Sequence, residues 1–237
     1  MPLKGRAGGI FAVTRLRELI DEVRQAHPQD QFFRDFDKSC RQDPVKRRHY
    51  RTYADALRVL DAQSWRELKN KALQHYLNHR KGQLKQGFFN QLNDAFAYRH
   101  LRQRGCTAVQ VLHEGKTRTP DIRYSESGSI KHCEVKTLGI SCDEIDRRCS
   151  GEASDGQVYA KLGAGFLNKF HSSFDVAKKQ IAVHPSGGLV YFVVIFDDTT
   201  YDYYEDYRRQ ILSYCRQKGM RDLYVKVGLR GNRRISV

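Results

Sequence analysis

Pro120-Asp121 is followed, thirteen residues on from the aspartate, by Glu134-Val135-Lys136. Two carboxylates and an amine on neighbouring extended segments can do specific chemistry. Hard divalent ions such as Mg²⁺ take oxygen ligands, often only one or two carboxylates, with water and substrate phosphate completing the shell. An ion held in this way lowers the pKa of bound water and neutralises charge on a phosphate under attack. A lysine beside it can orient the water or stabilise the developing negative charge. The combination implies metal-assisted hydrolysis of a phosphodiester, with Mg²⁺ or Mn²⁺ as cofactor.

That chemistry needs the three side chains on one face, and the local sequence predicts it. Ser127-Gly128 is a natural two-residue hairpin turn. With the turn there, Glu126 faces Ser129, and counting outward sets Asp121 opposite Glu134. Residues so opposed have Cβ atoms ~4.5–5.5 Å apart, a costly approach for two like charges unless a cation lies between them. Period two places Lys136 on the face of Glu134 and turns Val135 toward the core. The plainer alternative is a solvated polar face on which Lys136 is a salt-bridge partner of either acid.

The elements that must position these groups are legible in outline. Residues 11–24 carry apolar side chains at helical spacing. Residues 50–60 read as a helix that Thr52 could cap, and Ser64-Trp65-Arg66-Glu67 as a capping box opening a helix to about His79. A short polar break over 81–87 precedes an amphipathic helix over 88–104, ended by Gly105. Strands are predicted over 107–113, 121–124 and 130–137, then a polar loop over 142–156. A helix follows over 166–183, broken near Ser172-Ser173. The run Gly188-Leu-Val-Tyr-Phe-Val-Val-Ile-Phe196 is almost wholly apolar, as expected of a strand buried on both faces. A helix over 203–218 and a strand over 223–229 complete an α/β pattern: a mixed sheet flanked by helices.

At this point the chain resembles the PD-(D/E)XK nuclease superfamily, which has the restriction-endonuclease-like fold. Pro120-Asp121, a spacer and Glu134-Val135-Lys136 carry the resemblance, which covers roughly residues 88–229. It implies Asp121 and Glu134 as metal ligands, the Val135 carbonyl oxygen as a third, and Lys136 as the catalytic lysine. Members often carry an acidic residue on the helix before the core strands, about two turns before its end. Asp94, in Asp94-Ala-Phe-Ala-Tyr-Arg-His-Leu101, is similar to that pattern, although Glu is more usual there. A later helix often supplies Lys or Gln, for which Lys178, Lys179 or Gln180 could serve. The implied activity is endonucleolytic, on DNA rather than RNA because most of the superfamily acts on DNA. Cutting both strands would favour a homodimer. The rivals are a non-catalytic nucleic-acid-binding protein that keeps the fold, and an RNA-directed nuclease.

Charge agrees with a polyanionic partner. The chain of 237 residues carries 42 Lys and Arg against 27 Asp and Glu, a net +15. Residues 1–85 hold +9 of this, and read as an all-helical, basic, nucleic-acid-gripping module ahead of a core over residues 86–237. Within it Lys46, Arg47, Arg48 and Arg51 interleave with His49, Tyr50 and Tyr53, a mixture suited to phosphate contact with some base stacking. A solvated helix start is the alternative. No stretch approaches the length needed to cross a bilayer, and a cytoplasmic location is expected, with the six scattered cysteines reduced. His75 and His79 have metal-ligand spacing but no carboxylate between them, so a surface or partly buried pair is favoured. Cys142 and Cys149 are spaced wrongly for a zinc knuckle, Cys133 reads as a small core residue, and the Tyr201 to Tyr207 patch as packing or surface.

Overall fold

Thr14 accepts a hydrogen bond from the Arg17 N–H and starts α1 (Arg15–Ala26), which buries Leu16, Leu19, Ile20 and Val23 as one stripe. The computed structural model describes residues 14–79, 84–115, 119–139, 161–195, 203–228 and 234–236. The predicted loop over 142–156, with Cys142 and Cys149, and Tyr201 lie outside them. Helices α2 (Phe36–Gln42), α3 (Pro44–Leu57) and α4 (Ala62–Gln74) follow, then α5 (Gln86–Leu92) and α6 (Asp94–Gln103). Strands β1 (Thr107–Val111), β2 (Ile122–Glu126) and β3 (Ser129–Leu138) come next. The order closes with α7 (Ala164–Ala182), β4 (Gly188–Val194), α8 (Tyr204–Gln217), β5 (Leu223–Val227) and β6 (Arg234–Ser236).

Several predicted boundaries move, each for a physical reason. Helix α3 begins six residues earlier than expected, because Asp43 caps it by accepting from Val45 and Lys46 N–H and Pro44 occupies the first turn. Thr52 is therefore mid-helix, its hydroxyl donating to the Arg48 carbonyl at 3.0 Å. Asp61, not Ser64, caps α4, accepting from the Ser64 N–H. The Ser64 hydroxyl instead accepts from the Val111 N–H of β1 at 3.0 Å. Helix α4 stops at Gln74 rather than near His79. The predicted 88–104 helix divides at Asn93, and α7 runs unbroken through Ser172-Ser173.

The six strands form one sheet in the order β1-β2-β3-β4-β5-β6. Neighbours β1/β2, β2/β3 and β5/β6 are antiparallel, while β3/β4 and β4/β5 are parallel. One face packs against α1–α6 in a single apolar cluster that runs from Leu16, Leu68 and Leu92 to Cys133, Tyr191 and Val193. The other face packs against α7 and α8 through Phe170, Ile181, Ile211, Val190, Phe192 and Val194. Strand β4 thus alternates between two cores, which explains its continuous apolar run. Tyr204 and Tyr207 are buried in the second core, and Cys133 in the first. No helix among the described residues is long and apolar enough to cross a membrane.

Away from these cores, the His132 and His184 rings stack with centroids 3.7 Å apart, and His132 Nδ1 is buried without a hydrogen-bond partner. Burial first, then His184 and Arg123, lowers the His132 pKa from its usual 6.5. The fold therefore favours neutral His132. Its contribution to stability is complete above about pH 6.5 and is lost as pH falls through the depressed folded value. Replacing His132 by Phe is expected to flatten the acid limb of a denaturant-midpoint against pH curve, and an unchanged limb would refute the assignment.

Candidate active site

The hairpin is built as the turn residues require. Ser127 and Gly128 both have positive φ, 52° and 79°, matching the right-handed twist of the strands they join. The register follows: Glu126 pairs Ser129, Ser125 pairs Ile130, and so on to Ile122 with Cys133. One step beyond the last pair, Asp121 stands beside Glu134. Here β2 has not yet begun, and Asp121 holds the gap with its side chain. Its Oδ2 accepts from the Val135 N–H at 2.8 Å, while its backbone oxygen accepts from the Leu112 N–H at 2.9 Å.

The hydrogen-bonding pattern of β3 fixes which way Val135 points. The His132 N–H meets the Gly187 oxygen and the Leu138 oxygen meets the Ile195 N–H, so the even residues of β3 bond toward β4. Val135, an odd residue, turns its N–H and carbonyl toward Asp121. Its side chain packs against the first core.

Glu134 is only 4 % exposed. Its Oε1 accepts from Lys136 Nζ at 2.6 Å, and Oε2 is buried with no hydrogen-bond partner. Burial first and Asp121 second push its carboxyl up to about 7, against the opposing pull of Lys136. Lys136 Nζ also donates to Gln180 Oε1 at 3.2 Å, so α7 supplies a neutral group to the same spot. Of the three α7 candidates, Gln180 reaches the site. Lys178 pairs instead with Asp222 at 3.0 Å, and Lys179 lines a depression of about 450 Å³ with Val176, Gln180 and Val183.

Asp94 joins from the other side, as the first residue of α6 and so some two turns before that helix ends at Gln103, as the resemblance implies. It is 3 % exposed, and burial, with Asp121 next, pushes its carboxyl well above the usual range. The preceding Asn93, fully buried, sets that helix start: its amide donates to Thr137 Oγ1 at 2.8 Å, and its oxygen accepts from the Tyr53 hydroxyl at 3.3 Å.

Sequence reasoning missed Lys71. Its Nζ lies 3.4 Å from Asp94 Oδ2 and 3.4 Å from Asp121 Oδ1, and the residue is 5 % exposed. Burial would lower its pKa, but Asp94 and Asp121 outweigh that and hold the ammonium above the ordinary lysine value. The signal was present in α4. Trp65, Leu68 and Ala72 form its buried stripe, and Lys71 is the cation set within it.

The basic cluster on α3 divides its two components. Lys46, Arg48 and Arg51 are exposed and Arg47 half-buried. Tyr50 and Tyr53 face inward, packing on Phe36, Phe89 and Phe96, so the expected base-stacking half of the cluster is core. His75 Nε2 engages Glu114 at 2.9 Å and His79 Nδ1 the Leu77 carbonyl, so the two imidazoles do not converge. A second cavity, about 350 Å³, opens at the hairpin end of the sheet. Of its three cations, Arg104 and Lys131 both pair with Glu126, and Lys178 pairs with Asp222.

The donors fit Mg²⁺ or Mn²⁺ on chemical grounds. Among the described residues no group of three His, Cys, Asp or Glu side chains is arranged around a metal position. Two carboxylates and a backbone carbonyl nevertheless match the sparse protein shell that Mg²⁺ accepts. The buried, unpartnered Glu134 Oε2 is a costly lone acceptor without a cation or donor. No protein-family model, curated protein or solved structure matches this chain.

Proposed function

We propose that the chain is a metal-dependent endonuclease of the PD-(D/E)XK kind, with a restriction-endonuclease-like core, acting on DNA in preference to RNA. One observation carries the reading: Asp121, Glu134 and Lys136 converge at the point where β2 departs from β3, with the Glu134 Oε2 acceptor buried and unmatched. The net charge of +15 supports a polyanionic substrate.

Asp121, Glu134 and the Val135 carbonyl would hold Mg²⁺ or Mn²⁺. When bound, the ion supplies an acidified water and neutralises charge on the scissile phosphate. Glu134 Oε1 fixes the Lys136 ammonium, and Gln180 steadies it from α7. So placed, Lys136 can orient the attacking water and stabilise the extra negative charge on phosphorus. Asp121 has a second duty, since its bond to Val135 N–H keeps β3 in register with the metal-binding edge.

The rival reading, a nucleic-acid-binding protein without catalysis, is favoured by one feature: Lys71 already brings positive charge to Asp94 and Asp121. Incubating the protein with plasmid, single-stranded DNA and RNA, with and without Mg²⁺, separates the two. Cleavage that chelator abolishes and that Glu134→Gln and Asp121→Asn remove is the expected result. Salt-sensitive binding without metal-dependent cleavage of any of the three would refute catalysis.

A further inference from the structure

Three carboxylates, Asp94, Asp121 and Glu134, share this site with two ammonium groups, Lys71 and Lys136. The two lysines are not equivalent. Lys136 comes from the same strand as Glu134, approaches it to 2.6 Å and reaches Gln180 on α7. Lys71 comes from α4, fifty residues before Asp121, and rests at 3.4 Å from each of two acids. Both of its contacts are longer than the ~2.7–2.9 Å of close charged hydrogen bonds. A compact ammonium on a flexible four-carbon stem is suited to such a loose seat.

Formal charge points the same way. With all three carboxylates ionised, the five groups sum to one excess negative charge with Lys71 in place. Exchanging that ammonium for a divalent cation brings the sum to zero. Lys71 contacts Asp121, the same acid that a divalent ion would use on the metal-site reading, while Glu134 Oε2 has no hydrogen-bond partner.

We propose that Lys71 is the resident counter-ion of this site, competing with a divalent metal for Asp121, so that metal loading requires its ammonium to withdraw. The proposal rests on the metal-site reading above. It makes α4 part of the machinery: the helix carries a positioning residue that holds the acids together before metal arrives. Because the site accepts metal only with the ammonium displaced, the apparent dissociation constant is raised by the inverse of the displaced fraction.

The test is a calorimetric titration of Mn²⁺ into the full-length wild type and Lys71→Met, at neutral pH and without nucleic acid. Methionine keeps the apolar stem and removes the charge. The expected result is Mn²⁺ binding by both, tighter in Lys71→Met by roughly tenfold or more, as for a displaced fraction of a tenth or less. Equal or weaker binding by the variant overturns the competition and leaves the metal site standing. No binding by either protein overturns both readings. If circular dichroism shows that Lys71→Met does not fold, the wild type decides alone by lysine acetylation read by mass spectrometry. Lys71 is expected to be protected in chelator and to be modified several-fold faster with Mn²⁺ bound. An unchanged rate at saturating Mn²⁺ overturns the proposal.

Discussion

Lys136→Met is expected to bind nucleic acid as the wild type does and to cut it about 10³-fold more slowly. The Lys136 ammonium is the one positive group fixed both by Glu134, at 2.6 Å, and by a second strut, Gln180, at 3.2 Å. Its position is therefore set before substrate arrives, which is the condition for stabilising charge that develops only in the transition state. The fold should survive the change. Methionine keeps the aliphatic stem, and Glu134, already pushed up to about 7, can take a proton once its partner is gone. Single-turnover cleavage at saturating Mg²⁺, with binding measured separately in chelator, checks the split. A variant that cuts at the wild-type rate would remove Lys136 from the mechanism, and one that no longer binds would recast it as a substrate anchor.

Gly188→Ala is expected to be the most damaging single-methyl change in the sheet. A Cβ at Gly188 would lie 1.7 Å from the His132 carbonyl oxygen and within 3 Å of that residue's backbone carbon and nitrogen. These are backbone atoms at the start of the β3/β4 pairing, where His132 pairs with Gly188. The clash can be relieved only by parting the two strands, not by turning a side chain. A cost on the order of 3–5 kcal/mol is expected, at the upper end for a point substitution. Glu134 pairs with Val190 two residues along, so the site should loosen with the sheet. Gly115→Ala is the control, because a Cβ added there would meet nothing within 4 Å. Chemical denaturation of the two variants beside wild type measures the difference; equal midpoints would show that β4 can slide at this end.

What can be read from the chain divides by the range of the forces involved. Ser127-Gly128 and a period of two determine the pairing of β2 with β3, and both are local, so the register from Glu126 to Ile122 follows by counting. The apolar run of β4 is equally plain, since a strand between two cores has no polar face to show. Caps mislead where two candidates stand three residues apart. Ser64 matches a capping box, but Asp61 caps the helix and the Ser64 hydroxyl is needed by Val111 of β1. The break at Asn93 answers to Tyr53 and Thr137, forty and forty-four residues away, and no propensity encodes such partners. Lys71 escapes notice for the same reason: its acids are distant in sequence, and only its seat in an apolar stripe hints at burial.

The site draws its groups from residue 71 to residue 180, and the strand that carries two of them leans on β4 at residues 188–194. During synthesis the hairpin and its acids emerge well before α7 and β4. At that stage β3 has one bare edge, Lys136 lacks its Gln180 strut, and the second face of the sheet has no helix to cover it. Biosynthetic order therefore delays assembly of the full constellation until the chain has grown past β4. A partly made chain could hold Asp94 and Asp121 together through Lys71, yet it would reach its working geometry only once β4 has emerged.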